Sequence, residues 1–312
     1  MEYRRLGRTG LEVSLVGLGT GGPSQLGQTR GATREVIRAF VRRALDLGIN
    51  YFDTAPVYHD SEALLAHALD CVPRDEAVVA TKYPSVVDVH ADAPPLASPS
   101  VIRPSVEASL RRLRRDALDI VLIHALRPEL YDECRERQVP ELLRLKDDGL
   151  ARFVGISGWP VMVGRAVAEG WPDVVMPNYN LLTHAPERHV FPPARVHDVG
   201  VVAMTPVRRA MTDPAHLREV VRQMKAAGLV PPASVPEAEP LDWLIHGDVG
   251  SVIEAAYRFA ATPPEVACVL TGTADPAHLE ANVAAVQRGP LPAADVERLR
   301  ATFGGHDEYF GD

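Results

Sequence analysis

Asn50–Tyr58, read as NYFDTAPVY, decides how the rest of the chain is understood. Ile49–Phe52 is short, apolar and aromatic, and Thr54-Ala-Pro follows it. That pattern predicts a buried strand that delivers its C-terminal end into a loop. Asp53 stands at the strand's mouth and Tyr58 five residues on. Two later apolar runs end the same way: AVVATK on Lys82 and DIVLIH on His124. In a parallel barrel all such ends share one face, so acid, phenol, amine and imidazole can converge.

On either side of this stretch the alternation repeats. Tyr3–Leu6 and Glu12–Leu15 flank a Gly-Arg-Thr-Gly turn and predict a β-hairpin. Further strands are expected over 14–20, 49–53, 77–82, 118–124, 151–157, 174–178, 201–205 and 266–271. Helices are expected over 33–47, 61–69, 100–115, 139–148, 161–169, 187–196, 214–227, 251–261, 276–286 and 295–303. Thr33 and Gly48 supply a cap and a stop for the first of these. Continuous apolar strands joined by crossover helices mean a parallel sheet, and eight of them favour a closed (β/α)8 barrel. GLGTGG at 17–22 is followed by loop rather than helix, so it reads as a turn and not a dinucleotide fingerprint. Val230–Pro240, VPPASVPEAEP, excludes regular structure and lies in a long insertion at 206–250, between strands seven and eight. A loop of that length at a barrel mouth suggests a lid or specificity element. The whole chain, 1–312, reads as one domain.

Bulk properties narrow the classes. A net charge of -8 disfavours nucleic acid as the main partner, because phosphate neutralisation needs clustered cations. Arg111–Arg115 is spaced as the wet face of a helix. Cys71, Cys134 and Cys268 are odd in number and widely spaced, which suits reduced cysteines in a cytoplasm. No signal peptide or membrane span of ~20 apolar residues is visible. His184, His189 and His197 lack metal-ligand spacing, so no metal is expected.

The residue types carry a chemical argument. A phenol of pKa about 10 transfers protons poorly near neutrality unless a neighbour shifts it. An ammonium favours the phenolate, and Lys82 can supply one, with Asp53 as its counter-charge. His124 can hydrogen-bond a substrate oxygen or relay a proton. Such a set suits protonating a carbonyl oxygen as hydride arrives, or the reverse.

On these motifs the chain resembles the aldo-keto reductases over essentially its whole length. The resemblance rests on YRRLGRTGLEVS at 3–14, VGLGTGG at 16–22, GINYFDTAPVY at 48–58, ATK at 80–82, RPSVEASLRRL at 103–113, DIVLIH at 119–124, VGIS at 154–157 and LTGTADPAHLEANVAA at 270–285. It implies NAD(P)-dependent carbonyl reduction or alcohol oxidation on an aldehyde, ketone or sugar. It also implies Tyr58 as general acid, Lys82 paired to Asp53 as its modulator, and His124 as the substrate-orienting donor.

Cofactor contacts carried over from the resemblance are Gly19, Thr20, Asp53, Ser157, Gly272, Thr273, His278 and Asn282. The chain departs from the pattern at Gly158, where asparagine is usual, at Met176, where glutamine is usual, and at Met204, where an aromatic is usual. Asn178 shares Met176's side of its strand and can substitute. Thr205, Val207, Arg208 and Arg209 follow strand seven, where barrels often bind phosphate, although a solvated loop explains them equally. Residues 272–282 contain no Lys or Arg, and Asp275 would repel a 2′-phosphate, so NAD is expected over NADP. Val57, His59, Tyr83, Trp159, the insertion, Tyr309 and Phe310 are the candidate substrate contacts; a core position for Trp159 is the competing reading. Two other functions fit less of the sequence: a nucleotide-binding regulatory barrel without turnover, and a lyase or isomerase using Lys82 as a Schiff-base amine. Substrate, direction and oligomeric state are left open.

Overall fold

A computed structural model describes residues 1–88, 95–124 and 126–310. Among the described residues, ten strands run in chain order: β1 Tyr3–Arg5, β2 Glu12–Ser14, β3 Val16–Gly19, β4 Tyr51–Asp53, β5 Val78–Pro84, β6 Leu118–His124, β7 Ala151–Gly158, β8 Val174–Pro177, β9 Gly200–Ala203 and β10 Val266–Thr271. The helices are α1 Arg34–Asp46, α2 Ser61–Ala68, α3 Ile102–Leu113, α4 Tyr131–Arg137, α5 Val139–Asp147, α6 Pro160–Ala168, α7 Ala185–His189, α8 Phe191–His197, α9 Arg209–Thr212, α10 Pro214–Ala226, α11 Val252–Ala261, α12 Pro276–Gln287 and α13 Ala293–Phe303. Strands β3 to β10 pair in parallel and close into an eight-stranded barrel, with β10 between β9 and β3. The expected (β/α)8 barrel is what the chain forms.

Strand alternation divides the core in two. Tyr51, Ala80, Ile120, Leu122, Val174, Met176, Val202, Cys268 and Leu270 fill the barrel interior. The intervening residues, among them Val16, Leu18, Phe52, Val79, Val121, Ile123, Val154 and Ile156, pack outward under the helices. The antiparallel hairpin β1–β2 plugs the bottom: Leu6 and Val13 are fully buried against the interior cluster. Gly200, which opens β9, is needed there, since a Cβ would come within 2.7 Å of the Leu6 side chain.

Helix boundaries follow local chemistry. The Thr33 side chain accepts from Val36 N to cap α1, and Gly48 beyond its end is left-handed at φ 86°. The 187–196 helix is split into α7 and α8, and α4 lies where no helix was expected. In the insertion, α10 buries Leu217, Val220, Val221 and Met224 in the outer core, the i, i+3, i+4, i+7 stripe of an amphipathic helix. Residues 230–240 contain neither helix nor strand. Part of the proline-rich 83–99 loop, and the last two residues of the tail, lie outside the described residues. No described helix is long and apolar enough to cross a membrane.

Candidate active site

Three neighbouring strands end together at the top of the barrel. Registers Asp53↔Ala80 and Pro84↔His124 place the ends of β4, β5 and β6 side by side, and alternation turns Asp53, Lys82 and His124 inward. Lys82 Nζ donates to both carboxylate oxygens of Asp53 at 2.6 Å and to Thr54 O at 3.0 Å. Both side chains are buried, at 2% and 6% exposure. The same ammonium lies 5.1 Å from the centroid of the Tyr58 ring. The Tyr58 hydroxyl and His124 Nε2 are 3.3 Å apart, with the two rings edge to face. Ser85 holds the His124 carbonyl through both its backbone N–H and its hydroxyl, at 3.2 and 2.7 Å. The four residues singled out in the sequence are therefore one contiguous cluster.

Electrostatics refine that picture. Burial opposes the Lys82 charge, but Asp53 and Tyr58 outweigh it and hold the amine protonated above its ordinary range. Burial pushes the Asp53 carboxyl up, and Lys82 pulls it back. The symmetric two-oxygen contact is that of an ion pair. For Tyr58 the expectation of an acidified phenol needs correction. Burial pushes its pKa above 10, and the downward pull of Lys82 and, more weakly, Arg208 does not overcome it. The phenol is thus fully protonated near neutrality, and Lys82 limits the cost of the phenolate rather than making it the resting form. His124 is driven down to about 3 by burial and by the Lys82 charge, so its imidazole is neutral over the physiological range. Its Nδ1 is buried without a partner.

The candidate cofactor residues surround this cluster unevenly. Gly19 and Thr20 end β3 beside it, with Thr20 N donating to Asp53 O at 2.8 Å. Ser157 is buried on β7 and donates to Ile123 O at 3.0 Å. Asn178 is paired across the mouth: Thr205 Oγ1 donates to its Oδ1 at 3.0 Å, and Asn178 and Met204 share a parallel bridge. Thr205 has φ 61°, and Val207 and Arg208 follow it, half-buried, with the Arg208 charge felt at the Tyr58 phenol. Gly272 is exposed, with nothing within 4 Å of where its Cβ would be, and half-buried Thr273 follows. His278 is exposed on α12. Asn282 is turned to the protein, donating to Thr271 Oγ1 at 2.8 Å and to the Tyr257 hydroxyl at 3.2 Å. A nicotinamide dinucleotide fits this set. Buried hydroxyls of Thr20 and Thr54 lack partners, Ser157 and Asn178 offer polar atoms, Arg208 supplies a cation, and open backbone precedes α12.

Among the substrate candidates, Tyr83 is misplaced by the sequence reading. Being next to the inward Lys82 it faces outward, is completely buried in the layer under the helices, and its hydroxyl donates to Gln138 Oε1 at 3.3 Å. Val57 is half-buried in the loop after β4. Trp159 is 40% exposed at the start of α6, so it is not a core tryptophan. The tail is strapped over the loop after β8: Phe310 N donates to Thr183 Oγ1 at 3.1 Å, and Asn180 Nδ2 donates to Phe310 O at the same distance.

Two neighbours of Tyr58 escaped the sequence reading. A Cβ on Gly21 would stand 2.6 Å from Tyr58 Cζ, so the ring lies directly on that glycine's backbone. The glycine-rich 17–22 run carried a signal for such close approach. Gln28 carried none, because its contacts with the 58–61 backbone join separate loops.

Comparison with known proteins places this geometry. The model of the aldo/keto reductase family matches residues 16–302. L-galactose dehydrogenase from Arabidopsis thaliana is 30% identical, with 96% of this chain and 92% of that protein aligned. An uncharacterised oxidoreductase, YqkF, of Bacillus subtilis is 25% identical over 96% of both chains. Among solved structures, the holo form of aldo-keto reductase AKR11C1 from Bacillus halodurans superposes with a TM-score of 0.73 at 26% identity, covering 96% of this chain and 95% of that one. The barrel, the match along nearly the full chain and these relatives together make it a member of the aldo/keto reductase family, an NAD(P)-dependent oxidoreductase acting on carbonyl and alcohol groups.

Proposed function

We propose that Tyr58 exchanges the proton at the substrate oxygen while hydride moves between nicotinamide and the adjacent carbon. The observation that carries this reading is the contact of Tyr58 with His124 on one side and the Lys82–Asp53 pair on the other. In the reducing direction the neutral phenol gives its proton to the carbonyl oxygen as that oxygen gains negative charge. Lys82 stabilises the phenolate left behind, and Asp53 keeps the amine charged in a buried place. Neutral His124 orients the oxygen by hydrogen bonding. The bound dinucleotide supplies or accepts the hydride; Ser157, Asn178, Thr205 and Arg208 are the residues proposed to hold it. In the oxidising direction the same groups run in reverse, with solvent taking the proton.

For the cofactor we favour NAD. Residues 272–282 hold no Lys or Arg, and Asp275 caps α12 by accepting from Ala277 N at 2.8 Å, so the start of that helix offers a 2′-phosphate a negative charge and no basic side chain. For the substrate we favour a hydroxylated carbonyl compound or sugar, on two grounds: the relationship to L-galactose dehydrogenase, and the polar Tyr58, His124, Asn178 and Thr205 at the rim.

Steady-state assays with aldoses and aromatic carbonyls, each with both dinucleotides, test these choices. NAD with a sugar should give the highest kcat/KM; a preference for NADP or for apolar aromatic carbonyls would overturn the corresponding choice. Tyr58→Phe should lower kcat about 10²–10⁴-fold with dinucleotide affinity unchanged. Turnover at the parent rate would refute the proton-transfer role.

A further inference from the structure

We infer that Gln28, with Gly21, is a positioning residue that fixes the angle at which Tyr58 is presented to the substrate. The inference rests on the proton-transfer role proposed for Tyr58.

Unlike its three partners, Tyr58 is not on a strand. It sits in the 54–60 loop between β4 and α2, so the barrel's hydrogen-bond ladder does not fix it. Tyr58 N donates to Ala55 O at 3.1 Å, and Ser61 N donates to Tyr58 O at 3.1 Å. Between those two bonds lies His59, a non-glycine residue in the left-handed region at φ 52°. Such a conformation costs free energy and persists only where surrounding contacts impose it. His59 and Asp60 are both exposed, so packing does not impose it.

The Gln28 carboxamide spans that residue. Asp60 N donates to Gln28 Oε1 at 3.0 Å, while Gln28 Nε2 donates to Tyr58 O at 3.3 Å and to Ser61 Oγ at 2.9 Å. One planar group thus grips the chain on both sides of the strained residue. Gln28 is itself tethered, since its two Nε2 hydrogens are shared with a third acceptor, Gln25 O at 2.8 Å, and the Ser61 hydroxyl continues the link to Thr20 O at 3.3 Å. On the far side of the loop the phenol ring rests on Gly21, where a Cβ would fall 2.6 to 3.0 Å from Cζ, Cε2 and Cε1. The loop after β3 therefore holds Tyr58 at two points: backbone through an amide, ring through a bare Cα. The grip needs a donor and an acceptor together, which glutamine has and glutamate or leucine lacks.

Proton transfer depends on placement to within a fraction of an ångström, and an error of 1 Å from a remote change can cost about 10²-fold. Gln28→Leu should therefore lower kcat by about 10–100-fold. Dinucleotide Kd, read by fluorescence titration, should stay within about twofold of the parent, because the residues proposed to hold the dinucleotide are untouched. Gln28→Glu keeps the acceptor for Asp60 N but loses the donor, and should recover part of the lost kcat. It should also move the basic limb of the kcat–pH profile upward, because added negative charge disfavours the phenolate. Gly21→Ala, which displaces the ring, should give the same kcat-selective loss. A parent-like kcat in Gln28→Leu overturns the inference, as does a loss shared equally between kcat and Kd. If Gln28→Leu does not fold, Gly21→Ala decides alone on the same criteria. Tyr58→Phe, assayed alongside, separates the two ideas: if it turns over normally the proton-transfer reading fails, whereas its inactivity beside a fully active Gln28→Leu defeats only the positioning role.

Discussion

At Lys82 the proposed chemistry and the stability of the fold meet in a single side chain. Its ammonium touches both Asp53 oxygens at 2.6 Å in an almost solvent-free place, and the ring of Tyr58 lies 5.1 Å away. Replacing it by methionine keeps much of the volume but strands the Asp53 charge. Removing one partner of a buried ion pair costs about 3–5 kcal/mol, so Lys82→Met should lower the urea midpoint sharply. The activity of whatever remains folded should fall about 10²-fold or more, because nothing then offsets the burial that raises the Tyr58 pKa. Asp53→Asn with Lys82→Met should regain most of the stability and none of the activity. Recovery of turnover in the double variant would show that Lys82 acts only on folding. The sequence revealed these residues because each ends an apolar run on a polar group. Gln28 ends nothing, and its partners lie some 30 residues away, so no local pattern marks it.

At the scale of the element, the barrel separates two tasks by strand end. The C-terminal ends of β4, β5 and β6 hold the candidate site, and the opposite ends hold acids that tie strands to helices and loops. Asp119, near the start of β6, accepts from Arg115 at 2.7 Å, Arg152 at 3.0 Å, Arg74 at 3.1 Å and the backbone N–H of Val79 at 3.0 Å. Asp173, just before β8, does the same with Lys146, Arg8 and the backbone N–H of Val154. Asp119→Ala leaves a buried N–H without its acceptor and the largely buried Arg115 charge without its carboxylate, while Arg74 and Arg152 can be rehydrated. The expected destabilisation is on the order of 3 kcal/mol by urea unfolding. The folded variant should keep kcat within about twofold, since the change lies at the far end of the barrel from the site. A selective loss of kcat there would contradict this division of the strands. The same strand logic explains the error over Tyr83: position after a strand end suggested the rim, but alternation sends the neighbour of an inward lysine into the outer layer.

Across the whole molecule, buried imidazoles couple folding to pH. His184 is packed against Tyr179, Phe259 and Phe303 and held at about 4, chiefly by burial; His124 is held at about 3. Both folded-state values lie below the unfolded value near 6.5. The unfolded chain therefore binds more protons as pH falls, and stability that is complete above about pH 6.5 is lost progressively below it. For His184 the loss by pH 4 is about 3 kcal/mol. His184→Phe should flatten the fall of the urea midpoint between pH 6.5 and 4; a curve parallel to the parent's would remove His184 from the account. Asp53, pushed up by burial, works in the opposite direction at the acid end. Local periodicity alone encodes eight apolar runs, most of the helices between them, caps such as Thr33, and the chemical identity of Asp53, Tyr58, Lys82 and His124. The folded surroundings settle the rest. Burial outweighs Lys82 and sets the direction of the Tyr58 shift, register and alternation send Tyr83 away from the mouth, and Gln28 and Gly21 meet Tyr58 from another loop. The reason is that solvation and long-range contact are properties of three-dimensional neighbours, and a linear pattern reports only neighbours along the chain.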